Sequence, residues 1–311
     1  MNIITGRKIF KVVLTILGVS AAIPITGIAL FEAVNRTNGK IISSGEIRRY
    51  LIHVPASYDP AKPTPLVFNI HGFAQWPANQ QHISKWNDLA NEEGFIVVYP
   101  MGTQFPLRWN SHLPIDISPE TQKDVTFFVD MIEKFSGEYN IDPDRIYASG
   151  LSNGGGMAFA LSCTLSNRIA AIGTVAGAYT YPWEACMRHR PVPLIAFHGL
   201  EDQIVPYYGG YAKSISFHLP PVPDWIAEYA QRNGCTGEHL FHINDEVKSI
   251  QYFYCEQNSD VILYTIKNGG HSWPGGNPLP KFIVGNTSQD IDATRLMWEF
   301  FKAHPRKNKN F

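Results

Sequence analysis

A serine hydroxyl becomes a nucleophile only when a base takes its proton, and an imidazole does this best when a carboxylate fixes its tautomer. Ser152, Asp202 and His271 have the types and the chain order for that work. Ser152 is the centre of Gly150-Leu151-Ser152-Asn153-Gly154. The run before it, residues 145–149, reads as a short strand, and the run after it, 154–161, as a small-residue helix start. Strand, G-x-S-x-G turn and helix together hold a serine at the tip of a sharp bend, where glycines on both flanks let strand and helix approach closely. The chemistry would be acyl transfer through a covalent intermediate on Ser152. The competing reading, a glycine-rich turn with an incidental serine, has to be judged on the rest of the chain.

Asp202 follows the apolar run Pro193–His198, and His271 follows the run Val261–Ile266 inside Gly269-Gly270-His271-Ser272-Trp273-Pro274-Gly275-Gly276. Acid and base thus each sit on a loop after a strand, in the order used by α/β-hydrolases. Glu201 competes with Asp202, but neighbours on a tight loop point apart, and the position relative to the strand end favours Asp202. Asp124 lies before the nucleophile on a helix and reads as structural. His198 ends a strand and reads as a hydrogen-bonded core histidine, while His271 is framed by glycines. An oxyanion needs two donors: the backbone N–H of Asn153, and one from the loop His71-Gly72-Phe73-Ala74-Gln75, with Phe73 first and Ala74 next. His71 itself reads as a loop anchor.

These residues need a scaffold. Strands are predicted at 49–54, 66–70, 95–99, 145–149, 170–175, 194–198 and 261–266, and helices at 82–93, 121–139, 154–165, 223–233 and 291–303. Alternating strands and helices imply a mostly parallel sheet covered on both faces, with ligands beyond the carboxyl ends of its strands. Residues 45–311 are expected to form one such domain, preceded by a linker at 35–44. In residues 1–34, Arg7, Lys8 and Lys11 precede an apolar stretch from Val12 to Phe31, expected to be a signal peptide or an uncleaved membrane anchor. Either places the body of the protein outside the cytoplasm, secreted or periplasmic. Four cysteines fit that compartment, with Cys163–Cys186 and Cys235–Cys255 the pairing favoured by sequence order. Lys+Arg 26 against Asp+Glu 27 leaves a charge of −1 and no basic stripe, which argues against a nucleic-acid partner. No metal-ligand cluster or phosphate loop is present in the sequence, so no metal and no cofactor are expected.

With those pieces in place, the chain resembles an esterase family that groups polyhydroxybutyrate depolymerases with feruloyl and acetylxylan esterases of carbohydrate esterase family one. The motifs carrying the resemblance are His71–Gln75, Trp86–Ala90, Gly94–Pro100, Trp109-Asn110, Asp124-Val125, Tyr139–Tyr147, Gly150–Gly155, His198–Tyr207 and Gly270–Gly275. They cover roughly residues 45–304. The resemblance implies an α/β-hydrolase fold, the triad Ser152, Asp202 and His271, and a substrate among polyester (polyhydroxybutyrate-type) or plant cell-wall (feruloyl or acetylxylan) esters. The sequence departs from the family where members often carry cysteine after the His-Gly, here Phe73, and where many carry aspartate before Asp124, here Lys123. Among aromatic residues near strand-end loops, Trp109, Trp273 and Tyr207 are the candidates for substrate contact, set against a plain packing role. Residues 102–119 are expected to form one wall of the cleft. A peptidase or small-ester hydrolase on the same triad, and a non-catalytic polymer-binding protein, are the other functional readings.

Overall fold

A computed structural model describes residues 36–306 apart from 113–115, 117 and 213–216. The segment read as a signal or anchor lies outside the described residues. Among the described residues, no helix is long and apolar enough to cross a membrane.

The predicted strands are present, and they form the centre of a ten-stranded sheet. In chain order the strands are β1 (Gly39–Ser43), β2 (Glu46–His53), β3 (Thr64–Ile70), β4 (Ile96–Pro100), β5 (Ile141–Leu151), β6 (Ala171–Val175) and β7 (Leu194–Gly199). After the short pair β8 (Gly210–Ala212) and β9 (Phe217–Leu219) come β10 (Gly237–His242), β11 (Val247–Phe253) and β12 (Val261–Ile266). The large sheet runs β1-β2-β4-β3-β5-β6-β7-β12-β11-β10. Its middle, from β4 to β12, is parallel, and antiparallel pairs close both edges.

The helices are α1 (Pro77–Ser84), α2 (Trp86–Glu93), α3 (Pro119–Glu138), α4 (Asn153–Thr164), α5 (Val222–Arg232), α6 (Lys281–Val284) and α7 (Ala293–Ala303). They cover both faces because the central strands are apolar on both faces. Leu66, Phe68 and Ile70 of β3 join the core formed with α3, α4 and α5, whereas Val67 between them joins the core under α2 and α7. The start of α3 is set by Ser118, whose hydroxyl accepts from the Thr121 N–H at 3.2 Å.

Three local expectations change. Residues 39–43, placed in a linker by sequence, are β1, paired with β2 around a tight turn at Ser44 and Gly45. The helix predicted over 82–93 is two helices, broken where Lys85 takes a left-handed φ of 56°. The β10–β11 hairpin was not anticipated, because β10 is mostly exposed and lacks the apolar alternation that marks a half-buried strand. The two disulfides pair as sequence order suggested, Cys163 with Cys186 and Cys235 with Cys255.

Chain order turns around between β3 and β5: β4 lies on one side of β3, and β5, β6 and β7 follow on the other. Loops leaving β3 and β5 therefore diverge and open a crevice at the carboxyl ends of the strands. The loop after β3 carries Phe73, and the turn after β5 carries Ser152.

Candidate active site

Ser152 joins β5 to α4 with φ 57° and ψ −120°, a backbone state that a side chain rarely occupies. Three main-chain hydrogen bonds hold it there. Its N–H donates to the Val175 carbonyl at 2.9 Å, and its carbonyl accepts from Gly156 and Ala178, both at 3.0 Å. The turn also needs Gly154, because a Cβ there would stand 2.2 Å from the Ile70 carbonyl oxygen. The helix is pressed that tightly against the end of β3.

Asp202 and His271 come from the turns after β7 and β12. Those two turns are joined by main chain: the Glu201 N–H donates to the Gly269 carbonyl at 3.0 Å, and Leu200 donates to Ile266 at 2.9 Å. Contact is so close that a Cβ on Gly199 would lie 2.0 Å from the Gly269 oxygen. His271 Nδ1 meets Asp202 Oδ2 at 2.8 Å. Glu201 points to solvent, so the aspartate is the partner. Asp202 Oδ1 accepts from the N–H groups of Ile204 and Val205, at 2.9 and 2.8 Å. Burial alone would raise this carboxyl, but the His271 and His198 imidazoles and their hydrogen bonds outweigh it, leaving it well below the usual carboxylate range. His198 Nε2 lies 2.8 Å from the Val205 carbonyl and 3.4 Å from Asp202 Oδ2, while its buried Nδ1 meets no partner among the described residues. A proton on Nε2 satisfies the Val205 carbonyl, and His198 braces the acid loop from the core.

The candidate oxyanion donors are fixed by Trp109. Asn153 is the first residue of α4, so its N–H has no acceptor within the helix. Its side-chain amide pairs with Trp109 twice, accepting from the Trp109 N–H at 2.7 Å and donating to the Trp109 carbonyl at 3.0 Å. The Trp109 indole N–H donates to the His71 carbonyl at 3.0 Å, just before the loop that carries Phe73. Ala74 is ruled out as the second donor because its N–H is spent on the Leu107 carbonyl at 2.8 Å. The Phe73 N–H meets no protein acceptor among the described residues. Beneath Trp109, Asn110 donates to Asp124 from both its backbone and its side chain, each at 2.9 Å. Asp124 in turn pairs with the buried Arg48 at 2.9 Å. Burial pushes the Asp124 carboxyl up from its ordinary value, and Arg48 and Asn110 offset part of that. Removing the carboxylate strands the guanidinium, so Asp124→Ala should lose about 3–5 kcal/mol of stability. Urea denaturation reads this, and a loss under about 1 kcal/mol would contradict the assigned support.

His71 anchors the same loop. Its Nδ1 lies 2.8 Å from the Gly72 carbonyl, and its Nε2 accepts from the Gly102 N–H at 2.9 Å, so the neutral Nδ1–H tautomer satisfies both contacts. Burial pushes its pKa from 6.5 down to about 4. Below pH 6.5 the unfolded chain binds a proton that the folded chain refuses. Stability should therefore fall as the pH drops from 6.5 towards 4, by about 3 kcal/mol. Imidazole NMR checks the premise: a His71 midpoint near 4 is expected, and one near 6.5 would contradict it.

Ser152, Asn153, Phe73, Trp109 and His271 all line one cleft of about 1030 Å³. The loop expected to form a wall does so, through Gln104, Arg108, Ser111 and His112. Two of the candidate aromatic residues do not reach the cleft. Trp273 is 1% exposed in the core and donates to Thr294 Oγ1 at 2.9 Å. Tyr207 is buried behind the acid loop with its hydroxyl on Thr265 Oγ1 at 2.9 Å. Both are packing residues with a satisfied polar tip, the commoner use of large aromatics. The lining by Leu279, Pro280, Ile283 and Val284 has no counterpart in the sequence reading, since a four-residue helix leaves no periodic signal. Among the described residues, no group of three or more His, Cys, Asp or Glu side chains is placed to hold a metal ion.

Fold and site together define the α/β-hydrolase class: a largely parallel sheet, a strained serine after its fifth strand, and an Asp–His pair on the strand-end loops beyond. Residues 49–185 match the family described as Esterase PHB depolymerase. The chain is 35% identical over 185 residues to a bifunctional acetylxylan esterase/xylanase from Neocallimastix patriciarum, covering 58% of this chain and 26% of that one. It is 30% identical over 241 residues to feruloyl esterase B of Piromyces equi, covering 72% and 42% respectively. The chain thus spans less than half the length of either relative. The structure of a CE1 ferulic acid esterase from Anaeromyces mucronatus superposes with a TM-score of 0.54 at 14% identity, covering 86% of this chain and 90% of that one. At that identity the likeness speaks for the fold.

Proposed function

We propose that this chain is an exported serine hydrolase of carboxylic esters, with Ser152 as nucleophile, His271 as base and Asp202 as its orienting carboxylate. The observation that carries the reading is the 2.8 Å pair between Asp202 and His271, with His271 lining the same cleft as the strained Ser152. Ser152 Oγ attacks the ester carbonyl while its proton passes to His271 Nε2. The N–H groups of Asn153 and Phe73 receive the oxyanion. Collapse expels the alcohol, which takes the proton from His271, and water repeats the sequence on the acyl-enzyme to release the acid. Matched relatives are named for acetylxylan and feruloyl esters, and the matching family for polyhydroxybutyrate, which supports a substrate class of polymer-borne carboxylic esters. Two disulfides suit an oxidising, extracytoplasmic compartment.

The test is product release from acetylated xylan, feruloylated arabinoxylan and amorphous polyhydroxybutyrate, with Ser152→Ala as control. Release from one of them that depends on Ser152 is expected. Release that survives the substitution would overturn the mechanism. Turnover of matched amides in place of esters would move the reading to a peptidase on the same residues.

A further inference from the structure

We infer that Arg108 makes the cleft a receptor for esters that carry a free carboxylate. The inference rests on the esterase reading of that cleft and adds a substrate feature to it. Every other buried or half-buried arginine among the described residues ends on a protein oxygen or amide. Arg48 pairs with Asp124, Arg145 with Asp142 and Arg168 with Glu133. Arg188 reaches Asn233, Arg190 reaches carbonyls such as Ile169, and Arg306 pairs with Asp144. Arg108 is half-buried as well, yet its guanidinium has no protein acceptor among the described residues. A guanidinium without a protein acceptor is free to take a planar oxyanion with two parallel hydrogen bonds.

Its placement points the same way. Arg108 is the sole permanent cation among the described residues lining the cleft, where Glu120 is the sole carboxylate. Glu120 is exposed on the first turn of α3 and forms no ion pair with Arg108. The backbone under Arg108 is fixed: Thr103 and Arg108 exchange both main-chain hydrogen bonds, at 3.1 and 3.0 Å, and Trp109 follows directly. His112, on the same wall, is held below its ordinary pKa by burial and then by the Arg108 charge, consistent with a guanidinium on the cleft side. Leu279, Pro280, Ile283 and Val284 give the same cleft an apolar stretch of lining. A ligand filling this cleft is therefore read as apolar in part and anionic where it meets Arg108. The carboxylate belongs to either the acyl or the alcohol part of the ester.

Two matched pairs separate those sources. For the acyl side, 4-nitrophenyl hemisuccinate is compared with its methyl ester. For the alcohol side, 3-acetoxybenzoate is compared with its methyl ester. In at least one pair kcat/KM should favour the anion, and Arg108→Gln should cut that preference about tenfold, Arg108→Lys less. The preference should also shrink as salt rises. Titrating the same four compounds into Ser152→Ala protein, with and without the added Arg108→Gln substitution, repeats the comparison as affinities without turnover. A wild-type protein that hydrolyses none of them would count against the esterase reading, while the binding ratios would still decide the role of Arg108. Equal preference in the parent and Arg108→Gln proteins, in both turnover and binding, would overturn the inference.

Discussion

Ser152→Ala is expected to fold as the parent chain does and to lose kcat by on the order of 10⁶-fold on any ester the parent hydrolyses. The fold should survive because the turn is held by main-chain bonds to Val175, Gly156 and Ala178, none of which uses the hydroxyl. Residual turnover would come from the oxyanion donors and binding alone. Circular dichroism establishes the fold, and fluorophosphonate labelling should mark the parent chain and leave the variant unlabelled. A variant keeping more than about a hundredth of the activity would show that another group attacks the ester, a result no placement of His271 could accommodate.

Asp202→Asn should lower kcat about 10⁴-fold. An asparagine could still accept from Ile204 and Val205, so the turn after β7 should keep its shape. Its amide nitrogen would then face His271 Nδ1 and donate to it. That fixes the proton on Nε2, the nitrogen that must be free to take the serine proton. The stabilising charge beside the imidazolium is lost at the same time. Glu201→Gln is the control, since Glu201 touches the arrangement only through its backbone N–H. Steady-state rates at pH 7 decide between them, and a decrease of less than tenfold for Asp202→Asn would exclude the assigned pairing.

The central sheet and the Asp–His pair were legible in the sequence for one reason: the strands, and the turns that follow them, are marked by apolar runs. Runs such as Leu66–Ile70 and Leu194–His198 can hardly be anything else, and the polar residues that follow them must lie at the strand ends. Legibility failed where burial is partial. β10 has exposed Leu240 and Phe241 and no clear period, and β1 is short and edge-placed. Trp273 and Tyr207 lie away from the cleft because nearness in sequence to a candidate site loop does not say which way a ring points. The use of Asn153 was also only half visible. Its backbone role follows from the motif, but the pairing of its amide with Trp109 joins residues 44 apart in the chain. Arg48 and Asp124, 76 apart, carried no mutual signal at all.

The Trp109–Asn153 pairing separates two things that evolution can then change independently. Because the amide of Asn153 grips the main chain of Trp109, and the indole grips the main chain of His71, the loops over the cleft are fastened by atoms common to nearly every residue. Side chains of those loops that line the cleft, such as Phe73 and Arg108, are not part of the fastening. They can be exchanged without loosening the way the two loops are tied to each other.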